Sequence, residues 1–589
     1  MIGGRGVWAA AIVLAAAPAV QAQEAPSAAF HRLLDEHWAW YLKNNPQHAT
    51  VLGHKAYARD LGDPSLAAMD REAADAAAFI RRLDAIPVAQ LSPTDRVSHS
   101  ILRLDLANQV ERNRHVQRAQ LFSNRRGWHL SFARDATDTP LFNKADHEDY
   151  LARLAAYPAF NRKAIETTRS LVKAGATHPC AAMGGFERSI TTHIVDDPTT
   201  SDFYAPFRKP RPTTIAEADW SDMSARARTL ISAQVVPAYR EFRDFYVKEY
   251  QPRCRKDFGD AGMPGGAEWY AFKVRLMTTT NRTPDEIHRL GLSQVARIRG
   301  EMDEVVKRSG FAGDRRAYAE HLRTDSRYYP KTADELMREA SFLAKKIDGE
   351  MPKLFGRLPR LPYTVKEVPA SIAAGTTTAY YTRGSEASAL PGVYWVNTTK
   401  LDQRPLFEMP ALTVHEAVPG HHQQRSIQQE LDLPEFRQHA ASFTAFSEGW
   451  GLYSERLGID MGLYDTPAKD FGRLSYEMWR ACRLVVDTGL HSKGWTREQA
   501  IEFMVENTAL SRANIEAEVH RYMVDSGQAL AYKTGELKFR ELREKAETAL
   551  GPRFDLRTFH DVLLENGAAP LDVVDAHVNA WIAAQAQPR

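Results

Sequence analysis

Apolar residues spaced three and four apart, with charged residues between them, dominate this chain and commit most of it to amphipathic helix. The pattern is plain in Leu66–Leu83 and Val97–Leu121, within a helical region from Ala28 to about Tyr250. Ser92-Pro93-Thr94-Asp95 is a helix start, with the serine as N-cap and proline in the first turn. Thr283-Pro284-Asp285-Glu286 is a capping box: hydroxyl and carboxylate each accept from a backbone N–H that the helix leaves free. It opens a helix whose apolar stripe is Ile287, Leu290, Val295, Ile298, Met302 and Val305. Further helical pattern runs from Ala333 to about Phe355.

Then the period drops to two. Val365–Ala370, Thr376–Thr382 and Gly392–Thr398 are short, β-branched and aromatic, and separated by Gly and Pro; they predict two or three strands of one small sheet. Helix returns near Pro410 and continues to the end, with a second capping box at Thr496-Arg497-Glu498-Gln499. Gly184–Asp219 is rich in Pro, Thr and Asp and reads as a long surface excursion. No repeat period is visible, so a solenoid is not supported. The expected fold is mainly α, large and helical, with one small β-sheet before the helix that carries His415.

The N-terminus carries an address. Arg5 precedes the apolar run from Val7 to Ala17, and Val20-Gln21-Ala22 has small side chains at the −3 and −1 positions of a cleavage site. Residues 1–22 therefore read as a signal peptide. Residues 23–589 read as a single large catalytic domain: a helical scaffold over 23–360, the small sheet over 361–400, and metal-binding and C-terminal helices over 401–589. The apolar run is short for a bilayer span, no later stretch reaches about 20 apolar residues, and no lipobox cysteine follows it. The expectation is a soluble periplasmic or secreted protein without stable membrane insertion. A net charge of +2, with no basic tract, gives no reason to invoke nucleic acid. Export permits a disulfide. Cys180 and Cys254, both in Pro-flanked loops, are the candidate pair, while Cys482 lies in an amphipathic helix and reads as buried.

The densest metal-ligand chemistry is Val414-His415-Glu416-Ala417-Val418-Pro419-Gly420-His421-His422. In a His-Glu-x-x-His helix the histidines at i and i+4 bind one zinc and the glutamate activates the attacking water. Here i+4 is Pro419, which offers no ligand and costs a helix interior about 3 kcal/mol. In an unbroken helix i+6 lies about 120° from the face of i. A Pro419-Gly420 bulge of two residues would make i+6 act as i+4 and bring His421 to His415. His422, at i+7, would lie about 10 Å along the axis, too far to share the ion. The third ligand is then a carboxylate on a later helix: Glu448, with Glu455 as the alternative or as a partner that orients a histidine. Glu416 becomes the general base. Sheet followed by metal-binding helices is also the common order in zincin metallopeptidases, a fold-level analogy.

Several groups have the chemistry to stabilise an oxyanion beside the metal: Arg521, Tyr522 and Tyr532, and His491. Each has a structural alternative as a salt bridge or a core ring. The Gly392–Asn397 strand could hold an extended substrate by strand addition, and Arg383 could hold a substrate carboxylate.

These residues carry a resemblance. His415–Gln423, Glu448–Glu455, Asp487–Trp495, Glu518–Tyr522, Gly527–Gly535 and Phe559-His560-Asp561 together resemble the large bacterial family catalogued as domain of unknown function 885. The likeness covers nearly all of the mature chain. That family looks like a divergent, mostly helical branch of the zincin metallopeptidases, largely uncharacterised. The resemblance implies Zn2+ held by His415, His421 and Glu448, with Glu416 as base and short peptides as substrates. Asp525-Ser526-Gly527-Gln528 departs from the Pro-Gly-Gln common there, which leaves the shape of this loop open. Two other readings keep the same residues. Two histidines and a carboxylate also form the facial triad of non-haem iron oxygenases, and a zincin-like shell could bind peptides or envelope components without cleaving them.

Overall fold

Helix α1 (Pro284–Ser309) begins at its capping box: the Thr283 hydroxyl accepts from the Glu286 N–H at 3.3 Å and Glu286 accepts from the Thr283 N–H at 2.8 Å. Ile287, Val295, Ile298, Met302 and Val305 of its stripe are buried and Leu290 is half-buried. The second box, Thr496 with Gln499, is formed in the same way, and the Ser92 hydroxyl caps its helix by accepting from the Asp95 N–H. The structure, a computed structural model, describes residues 25–139, 141–373, 376–386 and 389–586; the signal-peptide reading of 1–22 lies outside them.

The sheet has three strands, β1 (Tyr363–Glu367), β2 (Ala379–Thr382) and β3 (Gly392–Val396), in the order β1-β3-β2. β1 runs parallel to β3 with Tyr363 opposite Gly392, and β2 runs antiparallel with Ala379 opposite Val396. The strands are shorter than their β-rich stretches, and Ala370 starts a helical turn, Ala370–Ala373. β3 is central, so its backbone groups are paired on both sides and the expected strand addition at Gly392–Asn397 is not available. The edge that borders a cavity is β2, through Thr377–Tyr381.

Six helices follow that matter for the site: α2 (Met409–Glu416), α3 (His421–Glu430), α4 (Thr444–Asp460), α5 (Pro467–Ser492), α6 (Arg512–Val524) and α7 (Ala531–Leu550). α1 packs along α5, α4 along α7, and α2 against α4. The α4–α7 approach needs glycine. A Cβ on Gly449 would stand 2.5 Å from the Gly535 Cα, so the two backbones meet with nothing between them. α5 is buried continuously from Phe471 to His491, which puts Arg473, Glu477, Arg480 and Arg483 inside the protein, where charges persist only when paired.

Three large apolar clusters hold these layers. One joins N-terminal helices to the C-terminal ones, with Phe30 and Leu102 in the same cluster as Phe446, Trp450 and Phe539. Another joins α1 and α5 through Ile298, Met302, Met478, Cys482 and Val486, and Cys482 is a buried free thiol as expected. The remaining one is rich in aromatics, among them Phe132, Tyr157 and Tyr239. Phe186, Ile190, Phe203, Phe207 and Ile215 belong to it, so Gly184–Asp219 is not a surface excursion. Its Pro and Thr break the helical period, while short turns such as Phe186–Thr191 still bury its apolar anchors. Cys180 and Cys254 form a disulfide, with Cα atoms 5.0 Å apart. Among the described residues no helix is long and apolar enough to cross a membrane.

Candidate metal centre

The expected bulge in one continuous helix is instead a break between two. α2 ends at Glu416, and Ala417–Gly420 form a turn that contains a cis Val418–Pro419 bond. Backbone bonds close it: the Gly420 N–H donates to the Val414 carbonyl and the His422 N–H to the Ala417 carbonyl, both at 3.0 Å. The Trp450 indole N–H donates to the Pro419 carbonyl at 2.7 Å and ties the turn to α4. His415 thus ends up one residue from the end of α2 and His421 at the start of α3. Their ring centroids are 4.8 Å apart and nearly perpendicular.

Glu448 on α4 completes the group. Its Oε2 lies 3.6 Å from His415 Nε2 and 3.5 Å from His421 Nε2, and the three candidate ligand atoms all fall within 4.8 Å of one another. Donors about 2.0–2.1 Å from one zinc at tetrahedral angles stand about 3.3 Å apart, so the residues fit that ion with small adjustments. The electrostatics agree. Burial opposes a charge on His415, yet Glu448 and Glu455 outweigh it and raise its pKa to about 10. Burial likewise opposes ionisation of Glu448, but His415 and His421 hold it well below the usual carboxylate range. The cluster demands positive charge at its centre, which either a proton or a metal ion can supply.

Glu455 does not join the three. Its Oε1 accepts from His415 Nδ1 at 2.8 Å and lies 3.1 Å from Arg480 Nη2. The Arg480 guanidinium packs on Tyr476 and Trp479, 4.6 and 4.7 Å from the ring centroids. Gly451 makes room for the ring itself: a Cβ there would stand 2.7 Å from His415 Cε1. His422 faces the sheet, with Nδ1 3.0 Å from the Tyr381 hydroxyl and Nε2 2.9 Å from the Leu361 carbonyl. Burial lowers its pKa to about 4, so the ring is neutral, with Nε2–H as donor.

A cavity of about 540 Å³ opens beside the cluster, and His415, His421, Glu448 and Glu416 all lie on its wall. Arg521 and Tyr532 line it too; the Tyr532 ring is 6.4 Å from the His415 ring. His491 and Tyr522 are not brought there. The His491 ring accepts from the Asp260 N–H through Nδ1 and donates to the Tyr522 carbonyl through Nε2, each at 2.9 Å. The Tyr522 hydroxyl accepts from Trp479 Nε1 at 3.0 Å and Arg483 Nε at 2.8 Å. Both are packing groups. Arg383 also lies off the cavity wall, with Nη1 3.4 Å from the His439 carbonyl. Sequence reasoning missed Arg480, Arg483 and Gly451. The charges of the two arginines are interleaved with Glu477 and Asp487 along α5, so the sequence pattern does not mark them as buried.

Residues 46–578 match the model of a family described as bacterial protein of unknown function (DUF885). The chain belongs to the DUF885 family. Among solved structures it is similar to a "putative lipoprotein" from Colwellia psychrerythraea, at 27% identity and a TM-score of 0.88, over 95% of this chain and 99% of that one. A "putative lipoprotein of unknown function" from Shewanella oneidensis shares the fold at 18% identity and a TM-score of 0.71, over 93% of this chain and 99% of that one. No curated protein matches. In this DUF885 chain the motifs divide by task. His415–His421 and Glu448–Gly451 build the candidate metal cluster, whereas Asp487 fastens the C-terminal helices. It accepts from the Tyr270 hydroxyl at 2.6 Å and from the Gly527 N–H at 3.1 Å, which anchors the loop at 525–528.

Proposed function

We propose that this DUF885 protein is an exported zinc metallopeptidase that hydrolyses short peptides. The reading rests on one observation above all: His415 Nε2, His421 Nε2 and Glu448 Oε2 converge beside Glu416 on the wall of one cavity. Two imidazoles and a carboxylate leave a fourth position open, the pattern of catalytic rather than structural zinc. A bound zinc would supply a Lewis acid there and bring the pKa of an attacking water toward about 7. Glu416 takes that water's proton as its oxygen bonds to the scissile carbonyl carbon, then passes the proton to the amine as the C–N bond breaks. Tyr532 is a donor on the wall suited to the oxyanion. A volume of about 540 Å³ suits a small ligand and supports short peptides over folded proteins. The iron-oxygenase reading leaves Glu416 without a task. A periplasmic or secreted location is supported by the apolar run after Arg5 and by the likeness to the Colwellia protein described as a "putative lipoprotein".

Metal analysis combined with a peptide-library digest tests the proposal. The wild type is expected to carry one zinc and to cleave, while Glu416→Gln keeps the zinc and loses roughly 10²- to 10⁴-fold in rate. An intact protein that holds no zinc and cleaves nothing defeats it. Peptide binding with every activity unchanged in Glu416→Gln would favour the binding-protein reading instead.

A further inference from the structure

Three guanidinium groups on the wall of the same cavity share one buried carboxylate. Glu518 accepts from Arg483 Nη2 at 2.9 Å and from Arg521 Nη1 at 3.4 Å, and Arg125 Nη1 stands 3.7 Å from its other oxygen. Arg126 beside them is matched by Asp525. Two positive charges are therefore left over around Glu518. Arg483 is buried and Arg521 half-buried, where charge without a counter-charge is costly, while Arg125 is exposed; packing against Glu518 would account for one arginine, not three.

Arg483 shows where the surplus is directed. It is 2% exposed, and its guanidinium packs against Trp479 and Tyr532, 4.3 and 4.4 Å from the ring centroids. Nε is spent on the Tyr522 oxygen and Nη2 on Glu518, while Nη1 has no partner among the described residues. The result is a buried cation beside the cavity with one nitrogen, Nη1, left unpaired. Tyr532 joins this group to the metal cluster, since the same ring stands 6.4 Å from the His415 ring.

We infer that Arg483, Arg521 and Arg125 form a subsite for the C-terminal carboxylate of a peptide, so that the enzyme removes residues from that end. This rests on the metallopeptidase reading and adds the substrate's polarity to it. A planar guanidinium matches a carboxylate in shape as well as charge. An N-terminal ammonium would be repelled by the same three groups. An extended chain advances about 3.3–3.6 Å per residue, so a carboxylate held at Arg483 sets the scissile bond roughly one to three residues from the C-terminus.

The test uses two N-acetylated peptides that differ only in ending as a free acid or an amide. Cleavage is followed with the full-length zinc-loaded protein and binding with Glu416→Gln by calorimetry. The acid peptide is expected to be shortened from its C-terminus. The amide should be cleaved, and bound, about ten- to hundredfold less well for want of charge-assisted hydrogen bonds. Arg521→Gln should bring acid binding down to the amide's level and leave amide binding alone. Equal cleavage of both peptides, or internal cleavage whatever the terminus, overturns the inference. So does equal or absent binding of both by Glu416→Gln. If the wild type cleaves neither peptide yet binds the acid better, the peptidase reading fails and the carboxylate subsite stands.

Discussion

Glu455 accepts a hydrogen bond from Nδ1 of His415 at 2.8 Å, and this contact decides which ring nitrogen faces His421 and Glu448. The carboxylate fixes the tautomer, makes Nε2 more basic, and is itself held by Arg480 at 3.1 Å. Replacing Glu455 by Leu should lower zinc affinity about ten- to hundredfold, whereas Gln, which still accepts from Nδ1, should cost less. Competition with a fluorescent chelator measures both. An unchanged affinity in Glu455→Leu would mean that His415 needs no such support.

Gly451 tests the same ring from its other side. Its missing Cβ would stand 2.7 Å from Cε1 of a buried His415 ring that Glu455 holds in place, so one of them must shift. Gly451→Ala should cost about 1–3 kcal/mol of stability by overpacking and should weaken zinc binding at the same time. Thermal melts with and without added zinc separate the two effects. Loss of stability with zinc affinity intact would contradict the placement of the ring.

His421 and His422 are neighbours in sequence with opposite assignments. Both nitrogens of His422 are occupied by Tyr381 and the Leu361 carbonyl, so His422→Gln should keep one zinc per chain. His421→Gln should lose it. Metal content of the two purified variants decides, and the reverse pattern would exchange their roles.

Glu408, just before α2, is 6% exposed. Burial, partly offset by Arg480, Arg404 and Arg323, lifts its pKa from an ordinary 4.5 to about 8. The folded chain then keeps a proton that the unfolded chain gives up. The stabilisation is complete below pH 4.5 and is lost as pH rises through about 8, by up to about 1.4 kcal/mol per pH unit in between. Glu408→Gln, which cannot ionise, should match the wild type at pH 4 to 5 and melt higher at pH 9. Melting curves that run parallel across this range would show that Glu408 is ionised in the fold.

Much of the architecture is legible because local signals and tertiary packing agree. The caps at Ser92, Thr283 and Thr496 mark helix starts, and the change of period marks the sheet. Disagreement arises where local chemistry and burial part company. Pro and Thr in Gly184–Asp219 speak of loop, but Phe186 and Phe203 are drawn into an aromatic core by long-range contacts no window reveals. Pro419 signals a disruption without saying that the helix ends; that follows from the turn closed by Trp450, which comes from another helix. The metal-ligand candidates were readable from residue chemistry and spacing. Their supports were less so: Arg480 and Arg483 look like ordinary helix charges until α5 proves to be buried all round. His491 and Tyr522 have catalytic chemistry, yet their polar atoms are consumed by backbone and side-chain partners away from the cavity.

The central claim is that His415, His421 and Glu448 hold one zinc. Anomalous diffraction from crystals of the wild-type protein, collected on both sides of the zinc edge, tests it most directly. The account predicts a single strong zinc peak about 2.0–2.1 Å from Nε2 of His415, Nε2 of His421 and an oxygen of Glu448. No zinc peak from protein purified in the presence of zinc, or a peak held by other residues, would contradict it.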